Sequence, residues 1–199
     1  MENANKQSQM IHDQNNSGDF GDSNSESSLG IILMGVSGCG KTSVGINLSK
    51  KLGWTFVDGD DFHPKENVAK MSAGQPLTDQ DRLPWLKTLH DLLMDHLQKG
   101  KSLILACSAL KEEYRQVLSS GMSNVVFVHL RGDFDLIHAR MRARGEHYMK
   151  AEMLRSQFAS LEPPKNGIIV GVDQSFGEIT AQILKELNER ALPFDGPGC

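Results

Sequence analysis

The stretch from Leu29 to Ser43, LGIILMGVSGCGKTS, constrains this chain more than any other. Four apolar residues, Ile31-Ile32-Leu33-Met34, run into Gly35-Val36-Ser37-Gly38-Cys39-Gly40-Lys41-Thr42, which fits G-x-x-x-x-G-K-[ST] at every fixed position. Such a loop belongs between a buried strand and a helix. Its glycines let successive backbone N–H groups turn inward around phosphate oxygens, and the helix N-terminus adds a favourable dipole. In that arrangement Lys41 reaches the β- and γ-phosphates, and the Thr42 hydroxyl holds Mg²⁺. Cys39 is the one thiol placed to be reactive, although a small residue tolerated in the loop accounts for it equally simply and is preferred.

A length of 199 residues suits one α/β domain with a sizeable core. The net charge of −4 gives no general attraction to nucleic acid or to anionic membranes. No apolar run approaches the ~20 residues that span a bilayer. The three cysteines are odd in number and lack metal-ligand spacing, as expected of a reducing compartment. Residues 1–28 form a polar leader with too little apolar surface to order itself. It has no apolar core for a signal peptide, and it has no arginine and several acids, unlike a transit peptide. The expectation is a cytoplasmic protein with a disordered leader, one domain over residues 29–192 and a flexible tail at 193–199.

After the loop, Val44, Leu48 and Leu52 recur at helical spacing up to Gly53, and Trp54–Val57 reads as a second strand. His63-Pro64 opens a helix to Lys70. A long amphipathic helix carries Trp85, Leu86, Leu89, Leu93 and Leu97, starting near the Asp81–Pro84 turn. Strands are expected at Leu103–Ala106, Asn124–Leu130 and Ile168–Val170, with helices between them and a closing helix from Phe176 to Arg190. Five apolar strands alternating with helices predict a parallel sheet covered on both faces, a three-layer α/β fold. In such sheets ligands lie at the carboxyl ends of the strands.

The second strand ends on Asp58-Gly59-Asp60-Asp61. One carboxylate there can hold water around Mg²⁺ while the other accepts a proton from an attacking hydroxyl. The same residues could instead be a capping or turn cluster; their place one strand after a phosphate loop favours chemistry. His63 reads as either a substrate contact or part of the turn before Pro64. The third strand ends at Cys107-Ser108, with Lys111 and Arg115 one helical turn apart. Together with Arg82 they could form a cationic set for an anionic substrate group, and each alone could be a solvated helix residue. Arg140 and Arg144 share a helix face ahead of Gly145-Glu146-His147 and read as a pair closing over phosphates, with Arg142 solvated. These features describe a small-molecule kinase with an anionic substrate.

The strings D-G-D-x-x-H-P at Asp58–Pro64, D-R-x-P-W-L at Asp81–Leu86 and C-S-A-L-K-x-x-Y-R at Cys107–Arg115 strongly resemble the gluconokinase family. The resemblance covers about residues 30 to 190. It implies ATP-dependent phosphorylation of D-gluconate on its 6-hydroxyl, giving 6-phosphogluconate for the pentose phosphate route. It also implies a P-loop kinase fold with a five-stranded parallel sheet and a mobile lid, here about residues 140–152, and a tendency to form homodimers. By that likeness Asp58 organises the Mg²⁺ shell through water, and Asp60 orients or deprotonates the sugar hydroxyl. Arg82 with Lys111 or Arg115, and Ser108 and His63 nearby, would meet gluconate. Arg140 would lie near the adenine or phosphates, and Asp173-Gln174-Ser175 would border the base. A rival is another kinase on the same scaffold, acting on shikimate, a nucleoside monophosphate or adenylyl sulfate. A GTP-dependent switch would need an Asn-Lys-x-Asp base-reading motif, which the chain lacks. A nucleic-acid-binding ATPase is disfavoured by the acidic charge and short length.

Overall fold

Each of the five apolar runs becomes a strand. The computed structural model describes residues 28–143 and 151–190, with strands β1 (Gly30–Met34), β2 (Thr55–Asp58), β3 (Leu103–Ala106), β4 (Val125–Arg131) and β5 (Ile168–Gly171). They pair in the order β2-β3-β1-β4-β5, and every pair is parallel. Parallel neighbours cannot be joined by hairpins, so the chain returns through helices. These are α1 (Lys41–Leu52), α2 (Lys65–Ser72), α3 (Asp79–Gln98), α4 (Glu112–Leu118), α5 (Phe134–Ala143), α6 (Ala151–Ser160) and α7 (Phe176–Glu189).

The alternation of β1 divides the core into two layers. Ile31 and Leu33 pack with Val44 and Leu48 of α1, Ile137 of α5 and Ile179, Ile183 and Leu187 of α7. Ile32 and Met34 face the other way, onto Trp85, Leu86, Leu89 and Leu93 of α3 and Leu118 of α4. All four strand residues are fully buried, which is why this strand reads as an unbroken apolar run. The three layers expected from the sequence are therefore present. Because β3 and β4 flank β1 on opposite sides, the crevice at its carboxyl end opens where the strand order reverses, and the phosphate loop begins there.

Two differences from the sequence reading lie next to the site. β2 begins one residue later and ends on Asp58, after which Gly59–Phe62 forms a single 3₁₀ turn. α3 begins at Asp79, ahead of the expected turn, because Thr78 and Asp81 form a capping box. Two reciprocal bonds at the helix start outweigh Pro84, whose missing N–H removes only one bond of the second turn. Lys70 also reaches Asp81 at 2.6 Å. The Lys70 and Thr78 hydrogen bonds hold the Asp81 carboxyl at about 2, below the ordinary 3.8. Its folded pKa is depressed, so the stability it contributes is present above pH 3.8 and lost as pH falls toward 2. In Asp81→Asn, thermal melting between pH 4 and pH 2 is expected to fall less steeply than in the wild type.

The leader through residue 27, residues 144–150 of the expected lid, and the tail 193–199 lie outside the described residues. Among the described residues no helix is long and apolar enough to cross a membrane.

Candidate active site

The phosphate loop takes its shape from glycine. Gly38 and Gly40 have φ of +78° and +104°, a left-handed region that side chains rarely adopt. At Gly38 a Cβ would also come within 2.5 Å of Met141. Cys39 is fully buried beneath the loop, in the layer of Ile31 and Leu33, which fits the packing reading and not a reactive thiol. Cys107 is likewise buried, and burial pushes its thiol up to about 12.

Lys41, the first residue of α1, curls back over the loop. Its ammonium donates to the Gly35 and Val36 carbonyls at 3.0 and 3.1 Å. Thr42 Oγ1 donates to Asp58 Oδ2 at 2.7 Å, joining the start of α1 to the end of β2. Asp58 Oδ1 accepts from the Asp60 N–H at 3.2 Å and so caps the 3₁₀ turn. The capping role offered by the sequence thus falls to Oδ1 alone, and Oδ2 faces the phosphate loop through Thr42. Asp60 is left with its side chain three-quarters exposed at the mouth of the cleft.

The turn rests on an aromatic brace. Trp85 Nε1 donates to the Gly59 carbonyl at 2.7 Å, and the His63 ring stacks on Trp85 with centroids 4.1 Å apart and planes at 17°. His63 Nε2 lies 3.9 Å from Asp60 Oδ1, while its buried Nδ1 has no hydrogen-bond partner among the described residues. Burial lowers the His63 pKa, against an upward pull from Asp60. With its pKa lowered, His63 is not a permanent cation for the Asp60 carboxylate beside it.

A cleft of about 480 Å³ collects Lys41, Asp60, His63, Arg82, Ser108 and Lys111 on one surface. Its far wall is a charged network. Lys111 Nζ donates to Asp79 Oδ2 at 2.7 Å and to Glu113 Oε1 at 3.3 Å, and Tyr114 OH donates to Asp79 Oδ1. The bonds from Lys111 and Tyr114 lower the Asp79 pKa, and the bond to Asp79 raises that of Lys111. The Arg82 guanidinium donates to the Leu77 carbonyl and lies 5.9 Å from the Tyr114 ring centre.

Arg115 does not join this wall, contrary to the sequence expectation. It is 3% exposed, and its guanidinium turns back to the Ala109 and Leu110 carbonyls and to Glu112. Ala109 has φ of +42°, an unfavourable conformation for a residue with a Cβ. The inward arginine holds the turn whose ends present Ser108 and Lys111, so its role is structural. Arg140 donates to the Val172 carbonyl at 2.6 Å and thereby ties α5 to the loop after β5. In that loop Asp173 is exposed, and Gln174 donates to the Gly171 carbonyl and to Gln182. Arg142 is exposed, and Arg144 lies outside the described residues.

Sequence reasoning missed Asp79, Tyr114, Trp85 and Gln157 as parts of the site. The three family strings hold or adjoin the first three. Gln157 of α6 lines the cleft and contacts Ser37 of the phosphate loop, and no local motif marks it.

Residues 37–188 match the family described as Shikimate kinase. A "Probable gluconokinase" of Rattus norvegicus is 46% identical over 178 residues, covering 79% of this chain and 96% of the relative. The "Thermoresistant gluconokinase" of Escherichia coli (strain K12) is 39% identical over 162 residues, covering 79% and 93%. Among solved structures, a gluconokinase from Sinorhizobium meliloti superposes with a TM-score of 0.76 at 37% identity, covering 83% of this chain and 95% of that one.

Proposed function

The chain belongs to the gluconokinase family, and from that premise we infer that its cleft carries the γ-phosphoryl of ATP to the 6-hydroxyl of D-gluconate. The observation that carries the reading is the convergence of two half-sites. A phosphate cradle with Lys41 and the Thr42–Asp58 pair stands on one side, and Asp60 with a cationic wall of Arg82 and Lys111 on the other.

ATP lies with its phosphates in the loop from Gly35 to Thr42 and its base toward Asp173 and Gln174, a loop that Arg140 steadies. Thr42 and Asp58 suit Mg²⁺, a hard cation usually held by one or two oxygen side chains together with substrate phosphates and water. The described residues hold no group of three or more His, Cys, Asp or Glu side chains able to bind a metal alone, in keeping with a cation that arrives on the nucleotide. When bound it would shield phosphate charge. Lys41 exchanges its carbonyl partners for phosphate oxygens and offsets charge on the transferring group. Asp60 accepts the proton of the gluconate 6-hydroxyl as that oxygen bonds to the γ-phosphorus. The bond to the β–γ bridging oxygen breaks, and ADP leaves with its electron pair. Lys111 and Arg82 hold the gluconate carboxylate, with Ser108 and His63 lining the hydroxyls. The reading includes a cytoplasmic enzyme and a homodimer.

A coupled assay of ADP release across gluconate, other sugar acids, shikimate and nucleoside monophosphates tests the acceptor. Preference for anything but gluconate would sink the assignment. Lys111→Met should raise the KM for gluconate about tenfold and leave that for ATP within twofold, because one charge-assisted hydrogen bond is worth about 1.5–3 kcal/mol. Steady-state kinetics with each substrate varied in turn checks it.

A further inference from the structure

Gln157 is 120 residues from the phosphate loop in sequence, yet its carboxamide closes a clasp on Ser37. The Ser37 N–H donates to Gln157 Oε1 at 2.7 Å, and Gln157 Nε2 donates to Ser37 Oγ at 3.1 Å. A backbone N–H can only donate, so the carboxamide oxygen must face it and the amino group must face the hydroxyl. A serine hydroxyl has one proton and two lone pairs. With one lone pair taken by Gln157, the Ser37 proton is left for a different acceptor. Ser37 lines the same cleft as Lys41 and Asp60, where phosphate oxygens are the acceptors that the phosphate loop brings in.

We propose that Gln157 is a positioning residue for phosphoryl transfer, aiming the Ser37 hydroxyl proton at the phosphoryl group in transit. The inference rests on the phosphoryl-transfer reading above and assigns to it a donor that the loop motif does not specify. A clasp that merely docked α6 on the loop would serve with any side chain able to accept from the Ser37 N–H. Aiming the proton requires the donor half as well, and the two roles separate in Gln157→Glu. There one oxygen still accepts from the Ser37 N–H. The other accepts the hydroxyl proton and turns it away from the cleft.

Ser37→Ala, Gln157→Ala and Gln157→Glu are each expected to lower kcat at saturating ATP by about 10- to 100-fold, at or below the loss of one transition-state donor. Melting temperatures of Ser37→Ala and Gln157→Glu should stay near that of the wild type. The Ser37→Ala/Gln157→Ala double variant should be no slower than the slower single one. Wild-type kcat in Ser37→Ala or Gln157→Glu, or losses that multiply in the double variant, would overturn the proposal. The ratios are read with gluconate and again in the slow hydrolysis of ATP, where water is the acceptor. Absence of gluconate turnover in the wild type would unseat the acceptor assignment, and the hydrolysis ratios would then decide the clasp alone.

Discussion

Replacing Asp60 with asparagine is expected to lower kcat by about 10²–10⁴-fold, the usual contribution of a positioned general base. The carboxamide keeps the size of the side chain but cannot take up a proton. Asp60 takes little part in holding the fold: its side chain is three-quarters exposed, and it is the Asp60 backbone N–H, not the carboxylate, that bonds Asp58. Melting temperature and the affinity for a non-hydrolysable ATP analogue should therefore stay near those of the wild type. Turnover at the normal rate would reduce Asp60 to a turn residue and overturn its role as the proton acceptor.

Lys41→Met is expected to lower kcat by about 10²–10³-fold, in line with the removal of one electrostatic contact to a transition state. Two effects act together. The ammonium no longer offsets charge on the phosphoryl group, and the Gly35 and Val36 carbonyls lose the donor that holds them in the free protein. Lys41→Arg should not restore the rate, because a planar fork cannot replace a compact ammonium between two carbonyls. Single-turnover measurements with preformed ATP complex separate the chemical loss from weaker binding. A variant that bound ATP poorly but reacted normally once loaded would confine Lys41 to binding.

The phosphate loop and the strand ends were legible because their chemistry is local. A strand buried on both faces must be apolar throughout, and left-handed turns call for glycine, so β1 and the loop announce themselves. Asp58 and Asp60 stand out in the sequence by their place after β2. The bond between Asp58 and Thr42 does not, because it depends on Thr42 arriving from another element. Arg115 shows where spacing fails. One turn beyond Lys111 it looks like a second cation for substrate, but its direction is set by the carbonyls at Ala109 and Leu110, which an unusual backbone turns toward it. The start of α3 was misjudged because proline is the louder signal, while the capping box is two ordinary residues with matched geometry. Gln157 could not be read at all: its partner is 120 residues away, and only the packing of α6 across the cleft brings them together.

The pairing of Lys111 with Asp79 has a consequence for the traffic of ligands. In the free protein this cation is already engaged, and Asp79, with its pKa lowered, remains ionised across the physiological range. On the proposed role of Lys111, an arriving sugar acid displaces a resident carboxylate instead of filling an empty positive site. The free energy of capture is a difference between two ion pairs, which moderates affinity but discriminates against neutral polyols that cannot make the exchange. The same competition runs in reverse after catalysis. Asp79 stands beside the lysine to reclaim it, so a product bearing more negative charge than its precursor is not held fast by the wall that recruited it.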